Sequence, residues 1–161
     1  MSPGTTRFVL LLAILFSGAL AGGNIDRALV AMPAWQQTGA VAWADFSRHA
    51  DLGNGLILYP LEAIGGGLLT LIAAIGFQLD KTAPRPVLVP AYLAVFLAAC
   101  GLVLTLKAAP IMLGIRGVSD PERLRQAFDA FWYWGNIRAA CQISAFLALL
   151  ATLPIVWRSR D

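Results

Sequence analysis

The chain has 161 residues, 58% of them hydrophobic and 13% charged, and a mean hydropathy of +0.71. This is membrane-protein composition, and the length suits one compact integral membrane domain, residues 1–161. A net charge of +3 with a pI near 9.2 does not imply a nucleic-acid partner, because Lys and Arg lie scattered beside apolar runs and form no continuous stripe. They read instead as charges flanking membrane spans.

The first apolar run, "FVLLLAILFSGALAGGNI", has two readings. Arg7, a short apolar stretch and "ALA" at residues 19–21 match a cleavable signal peptide. Ala13, Ser17 and Ala21 fall four apart, as do Gly18 and Gly22, which is the pattern that lets helices pack closely in lipid. The expectation is a retained helix over residues 7–23, with Asn24 and Asp26 at its outer end.

A loop over residues 23–55 follows. Its stretch "PAWQQTGAVAWADFSRHA" is amphipathic enough for an interfacial helix starting near Pro33 and stopped by "GNG". The only histidine, His49, stands four residues after Asp45, so on a helix the carboxylate would orient the imidazole; a surface or capping histidine is the plainer reading. No metal-ligand spacing such as HExxH accompanies Asp45, His49, Asp51 or Glu62, so neither a metal nor a cofactor is expected.

Residues 56–77 form the second span, a helix opened by Pro60 whose first inward residue is Glu62. Glu62 shares a face with Gly66, Thr70 and Ala73 and is therefore expected to point into the bundle. "QLDKTAPRP" then turns the chain into the third span, residues 87–106. Cys100 and Cys141 lie in apolar runs with no CxxC and no nearby ligand, and are expected to be buried small hydrophobes.

In the loop over residues 108–135, Ser119 and Glu122 fit a capping box and Pro121 a first helical turn. Trp132, Tyr133 and Trp134 stand where an aromatic belt belongs. The last span, residues 136–157, places Arg138, Gln142, Ala145, Leu149 and Thr152 within one arc. Arg138 and Glu62 are both near the outer ends of their helices and are expected to meet at one depth, as a buried ion pair or as the wall of a cavity. Interfacial anchoring accounts for Trp35, Trp43, Trp132 and Trp134; an aromatic lid over an apolar cavity is the sharper alternative.

The fold class is thus all-α, a four-helix transmembrane bundle with short interfacial helices in two long extracytoplasmic loops. Arg7, Lys81, Arg85, Arg158 and Arg160 would share one side, and their density places both termini in the cytoplasm of a multi-pass cell-membrane protein. P-loop and GxSxG signatures are missing, and one His with two Cys leaves too few ligands for haem or iron–sulfur centres.

The second half resembles the DUF1772, or anthrone oxygenase-like, family of membrane proteins. "LTLKAAPIML", with Thr105 and Pro110, precedes a polar loop, and "FWYWGNIRAACQ" carries a Trp-x-Asn-x-Arg element, Trp134, Asn136 and Arg138. The Gly-rich first helix and the Pro33 loop agree more loosely. The resemblance implies a four-helix membrane fold and, more weakly, oxidation of polycyclic phenolic anthrones by O₂ without a cofactor. In that chemistry Glu62 or His49 would be the base and Arg138, with Asn136 and Gln142, would stabilise the anion. Trp134, Trp43 and Asp45 would complete the substrate site. The rival is a non-enzymatic protein that binds or transports a lipophilic molecule or serves as a structural subunit. Expected partners are membrane lipid and a lipophilic small molecule; a homo-oligomer is compatible with either reading.

Overall fold

The computed structural model describes residues 1–158, and every regular element in it is helical. Six α-helices follow one another: α1 (Pro3–Asp26), α2 (Met32–Thr38), α3 (Ala40–His49), α4 (Gly55–Leu79), α5 (Leu88–Gly114) and α6 (Pro121–Arg158). Two π-helical stretches, Arg27–Ala31 and Ala50–Asn54, join α1 to α2 and α3 to α4, and a 3-10 turn, Arg85–Val87, leads into α5.

Four segments are long and apolar enough to cross a membrane, and each contains one of the expected spans. The 24 residues of α1 alone extend about 36 Å, beyond the ~30 Å of a hydrocarbon core. α1 packs on α4, α4 on α5, α5 on α6 and α6 back on α1, which closes a four-helix ring. Large apolar side chains cover its outside, among them Phe8, Leu15, Leu61, Leu68, Phe96 and Leu147. Hydroxyls on the inside bond to their own helices: Thr70 donates to the Gly66 carbonyl and Thr152 to that of Leu149. Their burial therefore leaves no donor unsatisfied.

Two apolar cores lie at opposite ends. At the end that gathers the N-terminus, the Asp80–Val87 turn and the last turns of α6, Leu10, Ala73, Ala74, Phe77, Val87, Ala94 and Val156 pack together. The helices approach closely there, and a Cβ on Gly76 would stand 2.8 Å from Thr6 Cγ2. Arg7, Lys81, Arg85 and Arg158 belong to this end; Arg160 lies outside the described residues. At the other end, Met32, Trp35, Trp43, Met112, Ile115, Leu124, Phe128 and Phe131 form a second core, a cap built by α2, α3 and the protruding ends of α5 and α6.

Several local expectations change. The stretch after Pro33 is two helices, broken at Gly39, whose φ of 88° is the only positive value in the chain among the described residues and suits glycine. α4 begins at Gly55, so Pro60 sits inside it rather than opening it. α5 runs on through Pro110 to Gly114, and the segment after Pro121 is continuous with the last span. The second long loop thereby shrinks to residues 115–120. Asp120, not Ser119, caps α6: its carboxylate accepts from the Glu122 N–H at 3.0 Å, while Glu122 turns to Arg125 and Gln126. Cys100 and Cys141 are free thiols and half-buried, not fully enclosed.

Candidate functional site

Between the two cores lies a polar layer. Asn24, in the last turn of α1, donates through Nδ2 to the Leu20 carbonyl at 2.9 Å and to Gln142 Oε1 of α6 at 2.7 Å. Gln142 presses on α5 at Gly101, where an added Cβ would be 2.8 Å from Gln142 Cγ. Glycine there is what allows three helices to share this amide contact.

One turn above, the π-helical stretches bring in opposite charges. Arg27 of the first pairs with Asp51 of the second, and Asp51, only 7% exposed, also accepts from the Tyr59 hydroxyl at 3.4 Å. Tyr59 folds back because residue 55 is glycine; a Cβ there would lie 2.6 Å from the ring. π-helical insertions recur at functional positions because they re-aim side chains off the α-helical phase. Here the first stretch supplies Arg27, and the second, kinked at Gly53 where φ is −95° and ψ −115°, supplies Asp51.

Arg138 of α6 completes the layer. Both guanidiniums approach the ring of Phe131, that of Arg27 to 5.3 Å and that of Arg138 to 5.8 Å. Among the described residues Arg138 has no hydrogen-bond acceptor, and its Nε is buried without a partner; so is Asp51 Oδ2. The titratable groups near enough to act on Arg138 are Arg27, Asp51 and Tyr59, and Asn24 and Asn136 share its cleft. A narrow cleft opens beside it, walled by Arg27, Met32, Phe131, Trp132 and Asn136. It encloses about 10 Å³, the room of roughly one water.

The sequence-expected set is thus divided. Arg138 and Asn136 line the cleft, and Gln142 lies just beneath it. Glu62 does not reach Arg138, and it has no hydrogen-bond or ion-pair partner among the described residues. The reason is depth. Gly66 of α4 meets Phe16 and Ser17 of α1, and Gly76 meets Thr6, so Glu62 is level with about Leu20. Gly18 in turn meets Phe146, and Asn24 meets Gln142, which sets Leu20 level with about Ala145. Glu62 is therefore about two turns, roughly 10 Å, deeper than Arg138. It borders the Tyr59 side of the layer only.

His49 and Asp45 are exposed on α3, away from the cleft. The His49 ring bonds through Nδ1 to the backbone carbonyl of Asp45 at 2.8 Å, so that nitrogen is the donor and the Asp45 carboxylate does not orient it. Asp45 edges a wide, open depression beside Gly39 and Arg48. Trp43 is buried in the cap against Phe46, and Trp134 packs on the same core edge-on to Tyr133. Trp35 is likewise buried, against Phe128, leaving Trp132 as the exposed tryptophan at this end. Among the described residues no three His, Cys, Asp or Glu side chains converge as metal ligands.

Sequence reasoning missed Arg27 and Tyr59 as site residues, and considered Asp51 only as a metal ligand. Arg27 and Asp51 flank the apolar runs where loop charges are ordinary, and nothing in their spacing announces the π-helical turns that aim them at one another. Fold and site define a four-helix protein, apolar outside, with a charged layer between a small-residue core and an aromatic cap. No family model, curated protein or solved structure matches the chain.

Proposed function

We propose that this chain is a multi-pass membrane protein, both termini cytoplasmic, that binds a lipophilic small molecule at the outer end of its bundle, beside Arg27, Asn136 and Arg138. The single observation that carries the reading is Arg138, a half-buried guanidinium beside Phe131 and Trp132 whose Nε is enclosed, with no acceptor from the described protein residues. An ionisable residue at such a depth is costly and marks a functional site unless a structural partner accounts for it. Supporting the orientation is a contrast in density: Arg7, Lys81, Arg85 and Arg158 stand at the end that holds both termini with few acids beside them, whereas Arg27, Arg48, Arg116, Arg123 and Arg125 at the other end are interspersed with Asp and Glu. The interfacial placement of α2 and α3 belongs to the same reading. Its test is extraction of the wild-type protein in mild detergent and mass spectrometry of what it retains. A defined molecule held near one per chain and lost from Arg138→Gln is expected; recovery of none would sink the reading.

A second reading has its own support. Asp51 keeps one carboxylate oxygen without a partner beside the Tyr59 hydroxyl and Arg27, with Arg138 near, which puts a base and anion-stabilising donors in one layer. The likeness of Trp134, Asn136 and Arg138 to anthrone oxygenase-like proteins points the same way. Asp51 would take a proton from an acidic CH₂ of a polycyclic phenol, and Arg138 would hold the resulting anion. The anion reduces O₂ directly; CH₂ becomes C=O, one oxygen atom enters the product and the other leaves as water. A narrow cleft means that the ring system must displace Trp132 or lie against the outer surface. Oxygen uptake by the purified protein with anthrone-type substrates is the assay, and Asp51→Asn should lower turnover about 100-fold or more. Uptake no faster than without protein removes this reading, while a larger loss in Glu62→Gln or His49→Ala would return the base to those residues.

A further inference from the structure

Resting on the binding reading, we infer that the ligand at this site is a monoanion, an oxyanion head group such as a carboxylate, phenolate or phosphodiester on an apolar body. Charge fixes the sign and the number. The layer holds two guanidiniums, Arg27 and Arg138, and one carboxylate, Asp51, which already pairs with Arg27. One positive charge is left over, and it is carried by Arg138. Asp26 is exposed, and Glu62 is not among the charges that reach Arg138.

The Phe131 face does not compensate that charge. A cation over an aromatic ring recovers only part of what partial withdrawal of an unpaired charge from water costs. A bound oxyanion removes the deficit, since a planar guanidinium offers donors in the fork geometry that carboxylate and phosphate accept. Cleft size fixes the pose. With room for about one water, it takes a single head-group oxygen and leaves the rest of the head group and the apolar body outside, along Trp132.

Two sources supply this chemistry, a free amphiphilic acid and a phospholipid phosphate. The experiment measures saturable binding of radiolabelled laurate to the purified protein in non-ionic detergent, with unlabelled competitors. Laurate should bind once per chain, and lauryl alcohol should compete at least tenfold more weakly. Arg138→Gln should weaken binding tenfold or more, with part of the affinity returned by Arg138→Lys, while Arg123→Gln on the exposed start of α6 matches wild type. Competition by phosphatidylglycerol but not phosphatidylcholine supports the inference and assigns the site to lipid; competition by laurate alone supports it and assigns the site to a free acid. Equal competition by laurate and lauryl alcohol in the wild-type protein overturns the inference, whatever the variants do, but leaves the binding reading standing. No saturable laurate binding overturns the inference; if the extracted protein also retains no molecule, the binding reading falls with it.

Discussion

The two cores of this molecule are built from different residues. In the core at the terminal end six of the eleven buried members are alanines, whereas four of ten in the cap are tryptophan or phenylalanine. In lipid the surroundings are as apolar as the interior, so association depends on close backbone approach, and small residues provide it. On the membrane reading proposed above, the cap lies in water and gains from withdrawing large apolar surface from it, so bulk serves it better. The charged layer lies between these two kinds of packing, where Arg27, Asp51 and Arg138 come together.

If the two cores do differ in this way, they should fail in opposite directions. Truncation should hurt the cap most: Phe128→Ala removes a fully buried ring and should cost about 3–5 kcal/mol, seen as a large drop in the thermal midpoint in mild detergent. A midpoint within a degree or two of wild type would mean the cap does not pack as a core. Next comes the layer itself. Asp51→Asn leaves Arg27 without its counter-charge and should cost on the order of 3 kcal/mol; loss of far less would place the pair in water. In the small-residue core the damaging change is enlargement, and Ala73→Leu should cost about 1–3 kcal/mol by overpacking, measurable as a lowered yield of monodisperse protein and a lower midpoint. A stabilised Ala73→Leu would contradict close packing at that end.

The smallest effects lie outside both cores. Asp80, in the turn between α4 and α5, accepts from the Thr82 hydroxyl at 2.6 Å and the Thr82 amide at 2.9 Å, which holds its carboxyl below the ordinary aspartate range. A pKa depressed in the folded state contributes stability that is present above the unfolded pKa and lost as pH falls through the folded one. Acidification below the ordinary aspartate range should therefore destabilise wild type slightly more than Asp80→Asn. An identical pH profile in the two proteins would show that the turn contributes nothing.

Much of this architecture can be read from the chain. Apolar runs mark the four long helices, and helical periodicity puts Gln142, Ala145, Leu149 and Thr152 on one buried stripe, as the structure has them. The same reasoning puts Gly66, Thr70 and Ala73 inside α4. What periodicity supplies is a face and not a depth. Periodicity assigns Glu62 and Arg138 to inward faces, yet Glu62 is half-exposed, and helix register, set by Gly66 on Ser17 and Asn24 on Gln142, separates the two by about two turns. Arg27 and Asp51 were hidden for a different reason. Arg27 begins a π-helical stretch and Asp51 sits beside the kink at Gly53, and both interruptions break the phase from which a face would be inferred.

The choice of Asp51 over Glu62 as the acidic member of the charged layer is the central claim, and paired double-mutant cycles on thermal stability test it most directly. The Arg27→Gln and Asp51→Asn changes should couple by about 1 kcal/mol or more, whereas Arg138→Gln and Glu62→Gln should be additive to within about 0.5 kcal/mol. Strong coupling between Glu62 and Arg138, with additivity between Arg27 and Asp51, would contradict the account.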